Sequence, residues 1–490
     1  MTPASRRLAL SRTALVVSCA VALTMAPGAD AGSRLNVSTL AKVAGRSPFP
    51  ASCSAGFAEY HHAESEVSLA VDPTNGRHLI ATYHQDANVA HPVSRSVDGG
   101  RTWRQVVVPG LTPCSVPKGE KAPAYNVFDP WVTYGADGRA YLLSVSGTEP
   151  GSPGATVAEP AGQQDPFAKH VYVQTSDDDG LTWSAPVVVA GDVDNGFLID
   201  KPTITADPFR PGRAHAVWSR VNLTGSAVMG VATTVDGGRT WSARTLPLTT
   251  LDTRGVTFGG QIVVQRDGML VMTFAEGMAQ PLFIAGTLAR NASGVDSIPS
   301  FIGNARFYSI TSADGGATWA TRGQLIGSSQ TFPGLITVAS AGAAIHATWA
   351  DLSADGIGRV QVSRSLDNGA TWSPPLTLAG PGPGVDVPAV AVDGKGTVAV
   401  TWYAAGPAPR TVQSVAAVST DAGVTWTKAA LSRAFSVASA PPTNAAGGTQ
   451  LGDYEGLAGL PAGGFVSAFT VAGALSRGGP TDVVAVRFGR

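Results

Sequence analysis

Ser96-Val97-Asp98-Gly99-Gly100-Arg101-Thr102-Trp103 is the stretch that decides the fold. Its pattern, Ser/Thr-x-Asp-x-Gly-x-Thr-Trp, returns at Ser176–Trp183, Thr234–Trp241, Ser312–Trp319, Ser365–Trp372 and Ser419–Trp426. Six of the ten tryptophans lie in these copies, so the repeat is architectural. Every fixed position has turn chemistry. The Asp carboxylate accepts nearby backbone N–H groups. The Gly permits a positive φ. The Thr suits the strand that follows, and the Trp offers a large apolar surface. The repeated aspartates are therefore structural and are not candidates for chemistry.

Around each octapeptide a larger unit recurs. In one copy, first strand Asp386–Val392 precedes second strand Thr397–Trp402, third strand Val412–Val418 and a fourth from Thr427 onward. Four antiparallel strands per repeat, at intervals of roughly 50–80 residues, predict the blades of a propeller. First strands begin near Glu66, Asp129, Asp200, Gly260, Gly334, Asp386 and Tyr454, which gives seven starts for six octapeptides. The last unit has three strands, Tyr454–Leu460, Gly464–Phe469 and Val483–Phe488, and no octapeptide. Residues Arg34-Leu35-Asn36-Val37-Ser38 are expected to supply its fourth strand and so close the ring. The expected fold is an all-β propeller of seven four-stranded blades, with six as the alternative.

The chain ends and composition set the context. Arg6, Arg7 and Arg12 precede an apolar run from Ala14 to Ala26, and Ala29-Asp30-Ala31 reads as a cleavage site. Residues 1–32 are thus expected to be a signal peptide, with 33–490 a single secreted domain. Cys53 and Cys114 then remain, and an exported pair is expected to form a disulfide. With 34 basic and 35 acidic residues, the charge balance argues against nucleic acid or a polybasic membrane surface as partner. No later stretch is apolar enough to span a bilayer, and a monomer is expected.

Propeller geometry sorts the remaining residues. First strands start at one face, second strands return to it, and the octapeptides lie opposite. Second strands align on a terminal aromatic, namely Tyr83, Trp218, Phe274, Trp349, Trp402 and Phe469, with Ser144 in the second blade. Just beyond stand His84, Gln85, Arg220, Glu276, Asp351 and Tyr403. First-strand starts add Glu64, Glu66, Asp129, Asp200, Lys201, Asp386, Asp453, Tyr454 and Glu455, and loops add His61, His62, Arg254 and Arg306. Such a ring of ionisable groups marks the candidate site, and the insertions near Ser146–Lys169 and Gly277–Asn304 are expected to border it.

The octapeptides are similar to the Asp boxes of the sialidase-like superfamily, and the resemblance covers residues 50–490. It implies a glycosidase that removes a terminal sialic acid, with three arginines on the sugar carboxylate, an Asp acid/base and a Tyr–Glu nucleophile. Carried over, Asp129 is the preferred acid/base and Asp200 the second. Tyr454 with Glu455 is the Tyr/Glu pair, although adjacent strand residues point to opposite faces, and Glu276 is an alternative partner. Arg220, Arg254 and Arg306 are the clamp, with His84, Asp351 and Tyr403 as further substrate contacts. The family's Arg-Ile-Pro motif is missing, and Arg95 and Arg364 precede octapeptides at the wrong end of the blade.

The leading reading is an extracellular glycan hydrolase. One alternative is a non-catalytic carbohydrate- or protein-binding propeller. A second is a polysaccharide lyase using His61, His62 or His84 with Tyr403. Nothing resembles a nucleotide loop, a zinc-spaced cysteine set or a nucleophile elbow. Adjacent His61 and His62 lack the spacing of helical metal ligands. No cofactor is expected, with Ca2+ on channel carboxylates the one alternative.

Overall fold

The structure is a computed structural model. It describes residues 34–490, apart from 55–59, 87–88, 125, 147–169, 192–196, 223–225, 247, 249–254, 279–303, 331–334, 354–356, 384–385, 409 and 442–450. The expected signal peptide, Arg254 and most of both insertions lie outside the described residues.

Residues 34–490 form seven antiparallel blades. Blade one runs Glu64–Val71, Leu79–Gln85, Val93–Ser96, Arg104–Val106, and blade two Val127–Tyr134, Ala140–Ser146, His170–Ser176, Val187–Gly191. Blade three is Phe197–Ala206, Ala214–Asn222, Ser226–Thr234, Ser242–Thr245, and blade four Gly255–Val264, Leu270–Met278, Ala305–Ser312, Gln324–Ser329. A single parallel pair, Ala227 with Val256, joins these two blades. Blade five is Ile336–Ala341, Ala344–Leu352, Ile357–Ser365, Leu376–Pro383, and blade six Asp386–Val392, Val398–Ala405, Thr411–Ser419, Thr427–Ala430. Blade seven is Gly456–Gly459, Phe465–Ala472 and Thr481–Gly489, completed by Asn36–Val37 from the other end of the chain. Asn36 pairs with Gly489 and Val37 with Phe488, so the expected closure is the one observed. Successive first strands touch around the whole ring, and that of blade seven touches that of blade one.

Each blade is apolar on both faces because it packs against two neighbours. The core is therefore divided among the blade interfaces. Tyr83 and Leu79 of blade one meet Val466 and Val483 of blade seven, and Trp218 meets Tyr141 and Leu143 of blade two. All six terminal aromatics of the second strands are buried. Trp349, fully buried, sits 5.3 Å from the Phe307 ring of the preceding blade.

The octapeptides form the turns their chemistry requires. At Asp236, one oxygen accepts the Thr240 N–H (3.0 Å) and the Thr234 hydroxyl (2.8 Å), and the other accepts the Thr240 hydroxyl (2.6 Å). The Thr240 side-chain and backbone donors hold the Asp236 carboxyl down at about 2. The same bonds recur at Asp98, Asp178, Asp314, Asp367 and Asp421. The turns also tie blades together. Arg95 Nε donates to Asp179 O (2.9 Å), Arg139 Nη1 to Gly237 O (2.9 Å) and Arg364 Nη1 to Ala422 O (2.7 Å), each reaching the octapeptide of the next blade. Arg95 and Arg364 are thus inter-blade latches on the octapeptide face.

At the other face the inner strands share an irregularity. The register of the first and second strands slips at Ser65/Ser68, Phe128/Trp131, Asp200/Thr203, Phe258/Gln261 and Asp386/Ala389. Within each slip one residue has positive φ: Glu66, Asp129, Lys201, Gly259 and Val387. These are bulges, which re-aim a side chain and leave an amide outside the ladder. That amide must find another acceptor. Asp129 N donates to His84 Nε2 (2.7 Å), Lys201 N to Asp129 Oδ2 (3.0 Å) and Gly259 N to Ser219 Oγ (3.0 Å). Each acceptor comes from the preceding blade.

Candidate functional site

Three successive bulges carry ionisable residues, and the ring brings them together. Glu66, Asp129 and Lys201 meet with Asp200 and with Asp453, which lies in the loop leading into blade seven. Lys201 Nζ is 2.7 Å from Asp453 Oδ2 and 3.6 Å from both Asp129 Oδ1 and Asp200 Oδ1. The side chains of Asp129 and Lys201 are 8% and 14% exposed, that of Asp200 is 29% exposed, and that of Asp453 is 60% exposed. The group therefore has a dry inner side and a wet outer side.

Burial and mutual repulsion set the protonation states. Loss of hydration pushes Asp200 up to about 7 against the pull of Lys201, and the neighbouring Asp129 adds to the rise. Glu66 is raised to about 7, first by burial and then by Asp453. Burial also raises Asp129, while Lys201 opposes the rise. Asp453 goes the other way, held down by Lys201. Burial alone would lower Lys201, but Asp129, Asp453, Asp200 and Glu66 together hold it well above its ordinary value. One ammonium thus serves four carboxyl groups, some of which carry protons near neutrality.

His84 is buried and driven down to about 4, chiefly by burial. Its Nε2 accepts the Asp129 amide, so the neutral ring carries its proton on Nδ1. Glu66 Oε2, 3.4 Å from the same Nε2, has no hydrogen-bond donor among the described residues. Glu66, His84 and Asp129 have the residue types of a metal site and lie close enough together. The arrangement does not suit one, because the imidazole lone pair is committed to the amide and Lys201 already supplies the positive charge.

Tyr454 is buried, and its hydroxyl donates to Pro130 O (3.1 Å) with its ring 5.2 Å from that of Trp131. It braces blade seven against blade two. Glu455 is not its partner: Glu455 Oε1 accepts the hydroxyl of Tyr403 instead. Burial holds both Tyr403 and Glu455 well above their ordinary values. The Tyr–Glu pair in this chain is therefore Tyr403 with Glu455, enclosed between blades six and seven. Beside the Lys201 group lies a cleft lined by Trp131, Leu335, Val387, Asp453, Tyr454 and Glu455 among others.

The remaining candidates lie on blades three, four and five and in the loop before blade one. Arg220 pairs in register with Ile199, and Ser219 pairs with Asp200. Arg220 thus shares the strand face opposite to that of Asp200. Glu276 and Arg306 face each other across blade four, and Asp351 faces Arg359 in blade five. The His61 and His62 rings lie 3.9 Å apart at a tilt of 32°, with His61 Nδ1 3.3 Å from Asp86 Oδ2 and His62 Nδ1 accepting the Ser47 amide. His84 has no free lone pair at Nε2 to act as a lyase base. Cys53 and Cys114 form the expected disulfide, with Cα atoms 6.0 Å apart.

Sequence reasoning placed Glu66, Lys201 and Asp453 in the ring of ionisable groups but gave them no catalytic or substrate-contact role. The available signal was positional. Glu66, Asp129 and Lys201 each lie near the start of the inner strand of consecutive blades, and equivalent positions in a ring converge.

No family model matches the chain, and no curated protein matches it. Among solved structures it is similar to a protein of unknown function from Dyadobacter fermentans DSM 18053, at 12% identity and TM-score 0.47, covering 93% of this chain and 99% of that one. It is also similar to the Hadza microbial sialidase Hz136, at 14% identity and TM-score 0.43, covering 88% and 66% of the two chains. A third is the GH93 α-L-arabinofuranosidase of Fusarium graminearum, at 15% identity and TM-score 0.44, covering 93% and 98%. These values are too low to carry an activity across.

Proposed function

We propose that the chain is a secreted glycoside hydrolase whose chemistry is centred on Asp200, Asp129 and Asp453 around Lys201. The observation that carries this reading is one ammonium, Lys201 Nζ, within 3.6 Å of three carboxyl groups of unequal exposure. Asp200, raised to about 7 and reachable from the channel, retains a proton to give to a leaving oxygen. Asp453, held down by Lys201 and open to water, stays ionised and faces developing positive charge on a sugar. Asp129 acts from behind: its carboxylate fixes the Lys201 amide and so the bulge that aims the lysine. The disulfide supports export to an oxidising compartment.

The charge favours an uncharged sugar over sialic acid. The cation at this mouth is already surrounded by three carboxyl groups, Asp453 at 2.7 Å being the nearest, which leaves it poorly placed to clamp a further carboxylate from substrate. The experiment is a panel of fluorogenic neutral glycosides and a sialoside, assayed with wild type and Asp200→Asn. Turnover of a neutral member that falls at least 100-fold in the variant is expected. No turnover across the panel, or full activity in Asp200→Asn, would sink the reading.

A further inference from the structure

A second carboxyl pair lies away from this site, where the ring closes. Glu64 opens the inner strand of blade one, and Asp482 lies in the third strand of blade seven. Both are 1% exposed. The Thr481 hydroxyl bridges the two blades, donating to Glu64 O at 2.7 Å and lying 3.1 Å from Glu64 N. Each carboxyl group has one oxygen satisfied. Glu64 Oε1 accepts Gln85 Nε2 at 3.1 Å, and Asp482 Oδ2 accepts the amides of Arg477 and of Gly478, the latter at 2.8 Å. The other oxygens, Glu64 Oε2 and Asp482 Oδ1, are buried with no donor among the described residues. The two groups are within hydrogen-bonding reach of one another.

Two buried acceptors cannot face each other as bare anions. A proton or a cation must lie between them. Two free oxygens are far short of the six or more that Ca2+ takes. We propose that Glu64 and Asp482 share one proton, and that this acid–carboxylate bond fastens blade one to blade seven and weakens as pH rises.

The surroundings fit a neutral Glu64. Burial, then Asp482, pushes its carboxyl well above the usual range. Asp86, just past the second strand of blade one, adds negative charge, and Gln85 is the neutral donor between them. From the N-terminal segment, Lys42 Nζ is 3.7 Å from Asp482 Oδ2 and serves the other oxygen. Tyr83 is buried nearby and raised. His62 feels both Asp86 and Asp482, and His61 contacts Asp86. The sign follows from the raised acid. Below its unfolded value Glu64 is protonated in both states, so the latch contributes fully. As pH rises toward the folded value, the native state holds a proton that the unfolded chain has lost, and stability falls.

The test compares thermal unfolding of the full chain from pH 4 to 9 for wild type, Glu64→Gln and Asp482→Asn. Either amide supplies the missing donor without a titrating proton. Unfolding of Glu64→Gln should release about one proton fewer than wild type between pH 5.5 and 7, read from the pH slope of Tm, and Asp482→Asn should move the slope in the same direction by less, because burial alone still raises Glu64. The Tm of each variant relative to wild type should therefore rise with pH. A constant difference at every pH overturns the proposal. So does failure of both variants to fold at any pH, because an amide reproduces the hydrogen bond of the neutral acid. A Tm raised by CaCl2 in wild type but not in Glu64→Gln would also overturn it, by placing a cation where the proton is assigned.

Discussion

Lys201 Nζ lies 2.7 Å from Asp453 Oδ2, although the two residues are 252 positions apart and belong to blades that do not touch in sequence order around the ring. The contact spans blades one and two, and Tyr454 makes a parallel brace to Pro130. The loop into blade seven therefore belongs structurally to the site built by blades one to three.

Lys201→Met should remove the shared counter-charge and leave the buried Asp129 and the part-buried Asp200 without a cation. A loss of about 3 kcal/mol is expected at pH 8. The loss should shrink toward pH 5, where Asp200 and Glu66, both raised to about 7, are protonated in the fold. Chemical denaturation at the two pH values checks this; equal losses would show that charge is not the cause.

Activity should fall on the alkaline side of about 7, since the proposed acid, Asp200, then loses its proton. The stability carried by this raised acid follows the same sign: it is present below the unfolded Asp value and is lost as pH rises to about 7. A kcat/KM profile that stayed flat from pH 6 to 9 would remove Asp200 from the acid role.

Gly452→Ala tests the loop. Gly452 has φ +109°, and a Cβ there would stand 2.6 Å from Glu66 N. The alanine must displace either the Glu66 bulge or Asp453 beside it. We expect a loss of about 1–3 kcal/mol together with at least a tenfold fall in kcat/KM, measured by denaturation and by turnover of the neutral substrate.

Asp236→Asn tests the octapeptide turn on the opposite face. The amide keeps an acceptor for the Thr240 N–H, but its NH2 group cannot accept the Thr240 hydroxyl, so the charge-assisted bond is lost. A loss of about 1 kcal/mol is expected at pH 7. Because the folded Asp236 value is depressed to about 2, its stabilisation is present above the unfolded value and disappears as pH falls from about 4 to 2. The gap between variant and wild type should close over that interval, while kcat/KM stays unchanged.

The propeller could be read directly from the chain because its rules are local. Asp98, Gly100, Thr102 and Trp103 satisfy one another within eight residues, and the alternation of the strands repeats with each blade. Seven inner strands counted against six octapeptides required an outside strand, and Asn36–Val37 supplies it. The boundaries shifted where loops bind the channel. The first strand of blade seven is Gly456–Gly459 rather than beginning at Tyr454, because Asp453 and Tyr454 are drawn into contacts with Lys201 and Pro130.

The site is a different matter. Sequence alone determined the rim on which Asp129, Asp200, Tyr454 and Glu455 stand. It could not determine that Glu455 meets Tyr403 rather than Tyr454, or that Glu66, Lys201 and Asp453 join Asp129. Those pairings depend on bulges whose positive φ turns one side chain per strand toward a shared axis, and on a ring that returns residue 453 to the side of residue 201. Hydrogen bonds within a turn are fixed by a few adjacent dihedrals. Charge partners across a channel, and the pKa values they set, exist only once all seven blades are closed.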